Sequence, residues 1–275
     1  MLSLQLVDLF ILISLSILLG GLFGSFATAM IYRLPRNIPI AFGAKSKQGG
    51  NGDGAARSYC LRCNHQLGFL DLIPMVSYLF LKGRCRHCGA AYGRSYFLVE
   101  CMSILLTFAA LFYYGLSAST LLYVATIPVL LSLIAIDLEH YILPNMLVAA
   151  LWCLGAAAQF VFSNTQDVLV VVQNIALHSA IYAAVALLIG FVFSKILKKD
   201  ALGLGDVKFF AAAGVWLGIS VLPAFMMLAG GLGVLHGGYM RLKHKDAIFP
   251  FGPSLIISLG LCYIFKDTIM LYFYG

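Results

Sequence analysis

Gly203-Leu204-Gly205-Asp206-Val207-Lys208 opens an apolar run that continues to Leu222. Counted from Asp206 the run is short for a full crossing, which takes about 20 residues, so its start is expected below the membrane surface. A carboxylate held at that depth is expensive and marks a functional candidate. The flanking glycines, Gly203 and Gly205, suit the same place, because a backbone without side chains lets an extended peptide approach closely. Irregular backbone at membrane depth is tolerated only where it lines protein or a water cavity.

A second carboxylate, Asp137, closes the apolar run 121–136. Two carboxyl groups sharing one proton are the apparatus of aspartic proteolysis: one activates water as a base while the other, protonated, polarises the peptide carbonyl. Taken alone, Asp206 reads equally well as an acidic helix cap, and Asp137 as an interfacial residue facing headgroups. Their pairing points to the catalytic centre of an intramembrane aspartyl protease.

Composition sets the frame. The chain has 275 residues, of which 61% are hydrophobic and 11% charged, with mean hydropathy +0.95. Those values describe an all-α polytopic membrane protein and exclude an ordinary soluble domain. About eight transmembrane helices are expected, over residues 6–31, 97–115, 121–137, 144–162, 172–196, 206–222, 224–240 and 253–274. The first run carries Asp8 where a signal peptide would be basic and lacks a small-residue cleavage site, so it reads as a retained span.

The formal charge of +7 signals topology here rather than nucleic-acid binding. Loops 116–120 and 163–167 carry no Lys or Arg. With the long 33–96 loop in the cytoplasm, every Lys and Arg except Lys266 falls on or near the cytoplasmic side. Both termini then face outward, and Asp137 and Asp206 reach the same inner boundary.

The long polar loop begins with a Gly-, Lys- and Ser-rich segment, 43–58, that reads as a flexible elaboration without a motif. Cys60-Leu61-Arg62-Cys63 and Cys85-Arg86-His87-Cys88 follow, 21 residues apart. Each pair resembles a knuckle that presents two thiolates to one tetrahedral ion. About 60 residues cannot bury much core, so a metal staple makes physical sense. Structural zinc on Cys60, Cys63, Cys85 and Cys88 is expected, with iron in the same four-sulfur geometry the alternative metal. A reducing cytoplasm keeps such thiols available for metal. His65 and His87 flank the cysteines as possible substitute ligands. Cys101, Cys153 and Cys262, set singly in apolar runs, read as packing residues, while His140, His178, His236 and His244, without matching partner spacing, read as structural or interfacial. Lys208 reads as an anchor for its span. The domain organisation expected is 1–32 as first span, 33–96 as a small cytoplasmic insertion resembling a four-cysteine zinc ribbon, and 97–275 as a seven-span catalytic domain.

These residues together resemble the type 4 prepilin peptidases, GxGD-type aspartyl proteases that double as N-methyltransferases. The resemblance runs through Gly21-Leu22-Phe23-Gly24-Ser25-Phe26, Ile31-Tyr32-Arg33-Leu34-Pro35 and the two cysteine pairs. Asp71-Leu72-Ile73-Pro74, Ser77-Tyr78-Leu79 and Arg94-Ser95-Tyr96 with Glu100 continue it. Ile136-Asp137, Leu143-Pro144, the Gly-Leu-Gly-Asp stretch and Pro250-Phe251-Gly252-Pro253 complete it. The sequence departs from the family pattern at Ala27-Thr28, where Leu-Asn is common, and at Asn145, where an Asp often follows Leu-Pro.

The resemblance implies that Asp137 and Asp206 are the catalytic pair, and that the chain cleaves basic leaders from prepilins or pseudopilins. It further implies residence in the bacterial inner membrane and methylation of the new amino terminus with S-adenosylmethionine. Glu100 is the candidate cofactor-binding residue. No strand–glycine-turn–helix unit supports a doubly wound nucleotide fold, so the methyl donor enters by resemblance alone. Two other classes compete. A cation-coupled transporter using the two aspartates predicts inverted repeats, which the sequence does not display. A presenilin-like protease shares Gly-x-Gly-Asp but accounts for neither the cysteine pairs nor Pro-Phe-Gly-Pro. Nothing in the sequence indicates the oligomeric state.

Overall fold

The structure, a computed structural model, describes residues 2–38, 60, 62–63, 65–66, 68, 76–91, 93–163, 167–198, 202–243 and 249–274. The 43–58 segment, Asp71-Leu72-Ile73-Pro74 and His244 lie outside the described residues.

The described residues are helical, with an isolated bridge between Arg84 and Ala91. Among them ten α-helices run in order: α1 Leu2–Arg33, α2 Val76–Phe80, α3 Arg94–Tyr114, α4 Ala118–His140, α5 Asn145–Phe162, α6 Val168–Leu197, α7 Leu204–Leu217, α8 Leu222–Lys243, α9 Gly252–Ile264 and α10 Lys266–Tyr274. Six of them (α1, α3, α4, α5, α6 and α8) are long and apolar enough to cross a membrane, or seven spans if α9 and α10 count as one.

Two of the eight expected spans take a different form. The last, expected as one run over 253–274, is bent by 76° between α9 and α10. The sixth, α7, has 14 residues and reaches about 21 Å, against a hydrocarbon thickness of about 30 Å. Apolar composition marks a segment as lipid-soluble, but it does not say where the helix inside it breaks.

The chain divides into two compact units, Met1–Ser132 and Leu133–Gly275. In the first, α1 and α3 meet along a glycine seam. A Cβ on Gly20 would stand 2.6 Å from the Ile104 Cα, and one on Gly24 would stand 2.9 Å from the Glu100 Cα. Such close backbone approach is how membrane helices gain packing energy where lipid and side chain are equally apolar.

In the second unit α7 and α9 form the interior. Their burial runs round the helix, through Phe209, Phe210 and 212–217 in α7 and through 252–256, Ser258, Leu259 and Cys262 in α9. Trp216 of α7 meets Tyr263 of α9 edge to face at 5.5 Å, and Phe210 meets Phe225 of α8 at 5.2 Å. Gly155 of α5 makes room for the Trp216 indole, whose Nε1 donates to the Leu151 carbonyl at 3.0 Å.

Helix α7 stops at Gly218, whose φ of +75° other residues rarely adopt. A helix leaves its last carbonyls without internal partners, and apolar surroundings supply no water to them. Here side chains provide donors. Gln159 Nε2 reaches Val215 O at 2.8 Å, Tyr182 Oη reaches Gly218 O at 2.9 Å, and Tyr274 Oη reaches Ser220 O at 3.1 Å.

Candidate active site

Asp137 lies in the last turn of α4. The helix ends just beyond it because Tyr141 turns left-handed (φ +57°), donating its N–H to Asp137 O, and because Leu143-Pro144 cannot continue the helix. The Asp137 side chain is buried, 5% exposed, with Oδ2 accepting the Gly252 N–H at 2.9 Å. Gly252 is the first residue of α9, so this carboxylate sits at the positive end of a helix. A Cβ on Gly252 would fall 2.5 Å from Oδ2 and 2.8 Å from Cγ of Asp137. Only glycine fits there.

Asp206 occupies the third position of α7, and its Oδ2 accepts the Gly203 N–H at 3.3 Å. The cap suggested by the sequence therefore exists, with the carboxylate reaching back from inside the helix rather than preceding it. Both carboxylates thus stand at helix starts. Leu143, on the α4–α5 connection, joins the two starts. It is the nearest neighbour a Cβ on Gly205 would meet, at 3.4 Å, and its Cδ2 would stand 3.1 Å from one on Gly252. Gly203 is exposed and Gly205 half-buried, so the loop at Asp206 remains open on one side.

Lys208 donates to Asn145 Oδ1 at 2.8 Å, which ties the start of α7 to the start of α5. Beside this bond lies a groove of about 230 Å³ lined by Asn145, Val148, Ala149, Trp152, Lys208 and Ala211. Sequence reasoning gave no role to two neighbours of Asp137. Gly252 stands in the sequence only as part of Pro-Phe-Gly-Pro, and a glycine opening an apolar run is the one signal it offers. His236, which the sequence assigns a structural or interfacial role, is a charge neighbour of Asp137 and packs edge to face on Phe249 at 6.1 Å. No spacing in the sequence announces that neighbour.

The four cysteines come together in the first unit. Their sulfurs all lie within 4.8 Å of one another, and Cys60 and Cys88 stand 3.7 Å apart. A metal–sulfur distance of about 2.3 Å in a tetrahedron implies sulfurs about 3.8 Å apart, so the cluster has the spacing to hold a metal ion. A disulfide would need about 2 Å, and all four thiols are free. The two knuckles share one local geometry: Cys60 N–H donates to His65 O at 2.9 Å, and Cys85 N–H to Ala90 O at 2.8 Å. Gly89, at φ +67°, closes the second turn. His65 and His87 are not members of the sulfur cluster; their rings meet at 3.5 Å, tilted by 34°, across the two knuckles.

Backbone donors from Cys63 and then Arg62 lower the Cys60 thiol pKa against the opposing effect of burial. At Cys88 the Ala90 backbone lowers it, but desolvation and the three neighbouring sulfurs win and push it up to about 11.

Glu100 lies in the second turn of α3, half-buried, against Gly24 of α1. One and two turns further on, the Ser103 and Thr107 hydroxyls are buried without a hydrogen-bond partner.

Residues 18–114 match the Bacterial Peptidase A24 N-terminal domain, and residues 124–238 match the Type IV leader peptidase family. A Prepilin leader peptidase/N-methyltransferase of Pseudomonas aeruginosa is 32% identical over 270 residues, covering 92% of this chain and 90% of that protein. One of the same name from Legionella pneumophila is 33% identical, covering 80% of this chain and 76% of its own. Another, from Vibrio cholerae, is 28% identical over 87% of this chain and 91% of its own. No solved structure matches.

Proposed function

The chain belongs to the type IV leader peptidase family, and from that premise we propose that it cleaves the leader peptide of prepilins or pseudopilins and methylates the amino terminus so released. The observation that carries the peptidase reading is the placement of Asp137 and Asp206 at two helix starts that Leu143 joins. In the cleavage step the ionised carboxylate of the pair takes a proton from water while the other, protonated, donates to the scissile carbonyl. The Gly252 N–H holds one oxygen of Asp137, leaving the other to face water or substrate. Gly203 and Gly205 leave backbone accessible to an extended peptide. No feature favours the transporter class, and both matched models are peptidase models.

Orientation follows from charge. We place Arg33, Arg241 and Lys243 on the cytoplasmic side of a bacterial inner membrane, so both aspartates and the cysteine unit face the cytoplasm. A substrate helix inserted the same way keeps its basic leader there and brings its scissile bond to the aspartates. The assigned domains are a first span over 1–32, a cysteine loop over 33–96 and a catalytic membrane domain over 97–275. We assign zinc to Cys60, Cys63, Cys85 and Cys88, where sulfur spacing and thiolate chemistry fit it. Its role is to fold the loop.

Methyl transfer rests on the family and on the names of the relatives. When bound, S-adenosylmethionine supplies an electrophilic methyl group on a sulfonium whose departing thioether is neutral. Glu100 has fitting chemistry, since a half-buried carboxylate suits a sulfonium cation or ribose hydroxyls. Incubating purified protein with a prepilin peptide and methyl donor, and weighing the products, tests both activities. Leader loss and a gained methyl group are expected as separate mass changes; an uncleaved peptide refutes the peptidase reading.

A further inference from the structure

We propose that Gln159 and Tyr182 are positioning residues that set the depth of Asp206 by suspending α7 from its far end. The inference rests on the reading of Asp206 as catalytic.

The two ends of α7 are held very differently. At its start Gly203 and Leu204 are exposed, and the polar tie to another helix is the exposed Lys208–Asn145 bond. At its far end Gln159 of α5 donates to Val215 O at 2.8 Å and Tyr182 of α6 to Gly218 O at 2.9 Å. Tyr182 is wholly buried. The same end carries a third directed bond, from Trp216 Nε1 of α7 to Leu151 O of α5 at 3.0 Å, with the indole in the space left by Gly155.

Apolar packing alone resists lateral separation of helices but is weak against sliding along the axis, because apolar side chains meet apolar neighbours at either register. A donor aimed at one particular carbonyl fixes the axial register. Each residue of slip moves a helix by about 1.5 Å, and about 1 Å of misplacement is enough to cost about 10²-fold in rate. Asp137 is secured separately, by Gly252 at the start of α9. The relative height of the two carboxyl groups is therefore set on the α7 side from its far end, where Gln159 and Tyr182 act beside the Trp216 bond, and is transmitted through about three helical turns to Asp206.

The test uses the full chain with Tyr182→Phe, which removes one oxygen, and then Tyr182→Phe with Gln159→Leu. A Leu204→Cys reporter is placed in a chain with Cys101, Cys153 and Cys262 changed to Ala. Its rate of reaction with a water-soluble maleimide is read by peptide mass spectrometry. Cleavage of a prepilin peptide is measured in parallel in variants without the reporter. In the double variant we expect the reporter rate to change by about threefold or more and kcat to fall about tenfold, with KM within about twofold.

Unchanged labelling overturns the proposal even if kcat falls, because the residues would then only stabilise the fold. Changed labelling with unchanged kcat overturns it too, because depth would then not matter to the reaction. Tyr182→Phe alone, expected to move both readouts in the same direction by less, keeps the test open should the double variant fold poorly. Normal cleavage by Asp206→Asn would sink the catalytic reading without touching the labelling result, so the two failures are distinguishable.

Discussion

At the scale of single residues, the carboxylate pair is defined by what each member leans on. On the proposed reading, Asp137→Asn and Asp206→Asn preserve size but remove the shared-proton chemistry, so each should lower cleavage by about 10³-fold or more. Product masses check this, with chain yield in membranes as the control. Gly252→Ala is a sharper probe, because it leaves both carboxylates in place. The added methyl would overlap Asp137 Oδ2 at 2.5 Å, so the carboxylate must turn away and lose its backbone donor. A fall of about 10²-fold in cleavage is expected, read as kcat in a steady-state assay. Wild-type activity would mean that Asp137 does not need the α9 contact.

At the scale of elements, the cysteine unit and the buried helices stand on different physics. On the proposed metal reading, two short turns with little core depend on an ion to join them, and binding free energy there is also folding free energy. Cys63→Ser should lose metal and expose the 33–96 loop to protease, measured by metal analysis and limited proteolysis. Metal uptake must also displace protons. With the Cys88 thiol held up to about 11 by desolvation and neighbouring sulfurs, uptake at neutral pH releases a proton there, so apparent affinity should weaken as pH falls. Competition with a chromophoric chelator across a pH series reads this directly. By contrast, α7 and α9 need no ion, because aromatic and glycine contacts lock them. Gly155→Ala would push a methyl to 2.6 Å from the Trp216 Nε1, and overpacking of this kind costs about 1–3 kcal/mol. A lowered unfolding midpoint in detergent is the expected result.

At the scale of the whole molecule, the candidate groups for the two activities lie in different compact units. Glu100 and the four cysteines belong to Met1–Ser132, while Asp137 and Asp206 belong to Leu133–Gly275. Attack of an amine on a sulfonium methyl requires no carboxylate pair. Asp206→Asn should therefore block cleavage yet still methylate a peptide supplied in its mature form, and Glu100→Gln should impair methylation more than cleavage. Labelled methyl donor with mature peptide measures the first, and loss of both activities in a folded, metal-loaded Asp206→Asn chain would show that the activities share one site.

Features that depend on local chain chemistry were legible in the sequence alone. Apolar run lengths announced a helical membrane protein, because lipid demands internally bonded backbone. Two Cys-x-x-Cys pairs announced a sulfur cluster, because that spacing returns both thiols to one side of a turn. Gly-Leu-Gly-Asp announced a helix start with an acidic cap, although only the structure showed the carboxylate reaching back from the third helical position. Tertiary structure decided the rest. The donor to Asp137 comes from Gly252, 115 positions away, and no local pattern specifies a partner across that distance. The bend between α9 and α10, the arrest of α7 at Gly218, and the choice of Gln159 and Tyr182 to meet its last carbonyls are of the same kind. An apolar sequence satisfies the bilayer equally well at many registers. Which register is adopted depends on where buried polar groups find partners, and those partners are brought together only by the packed helices.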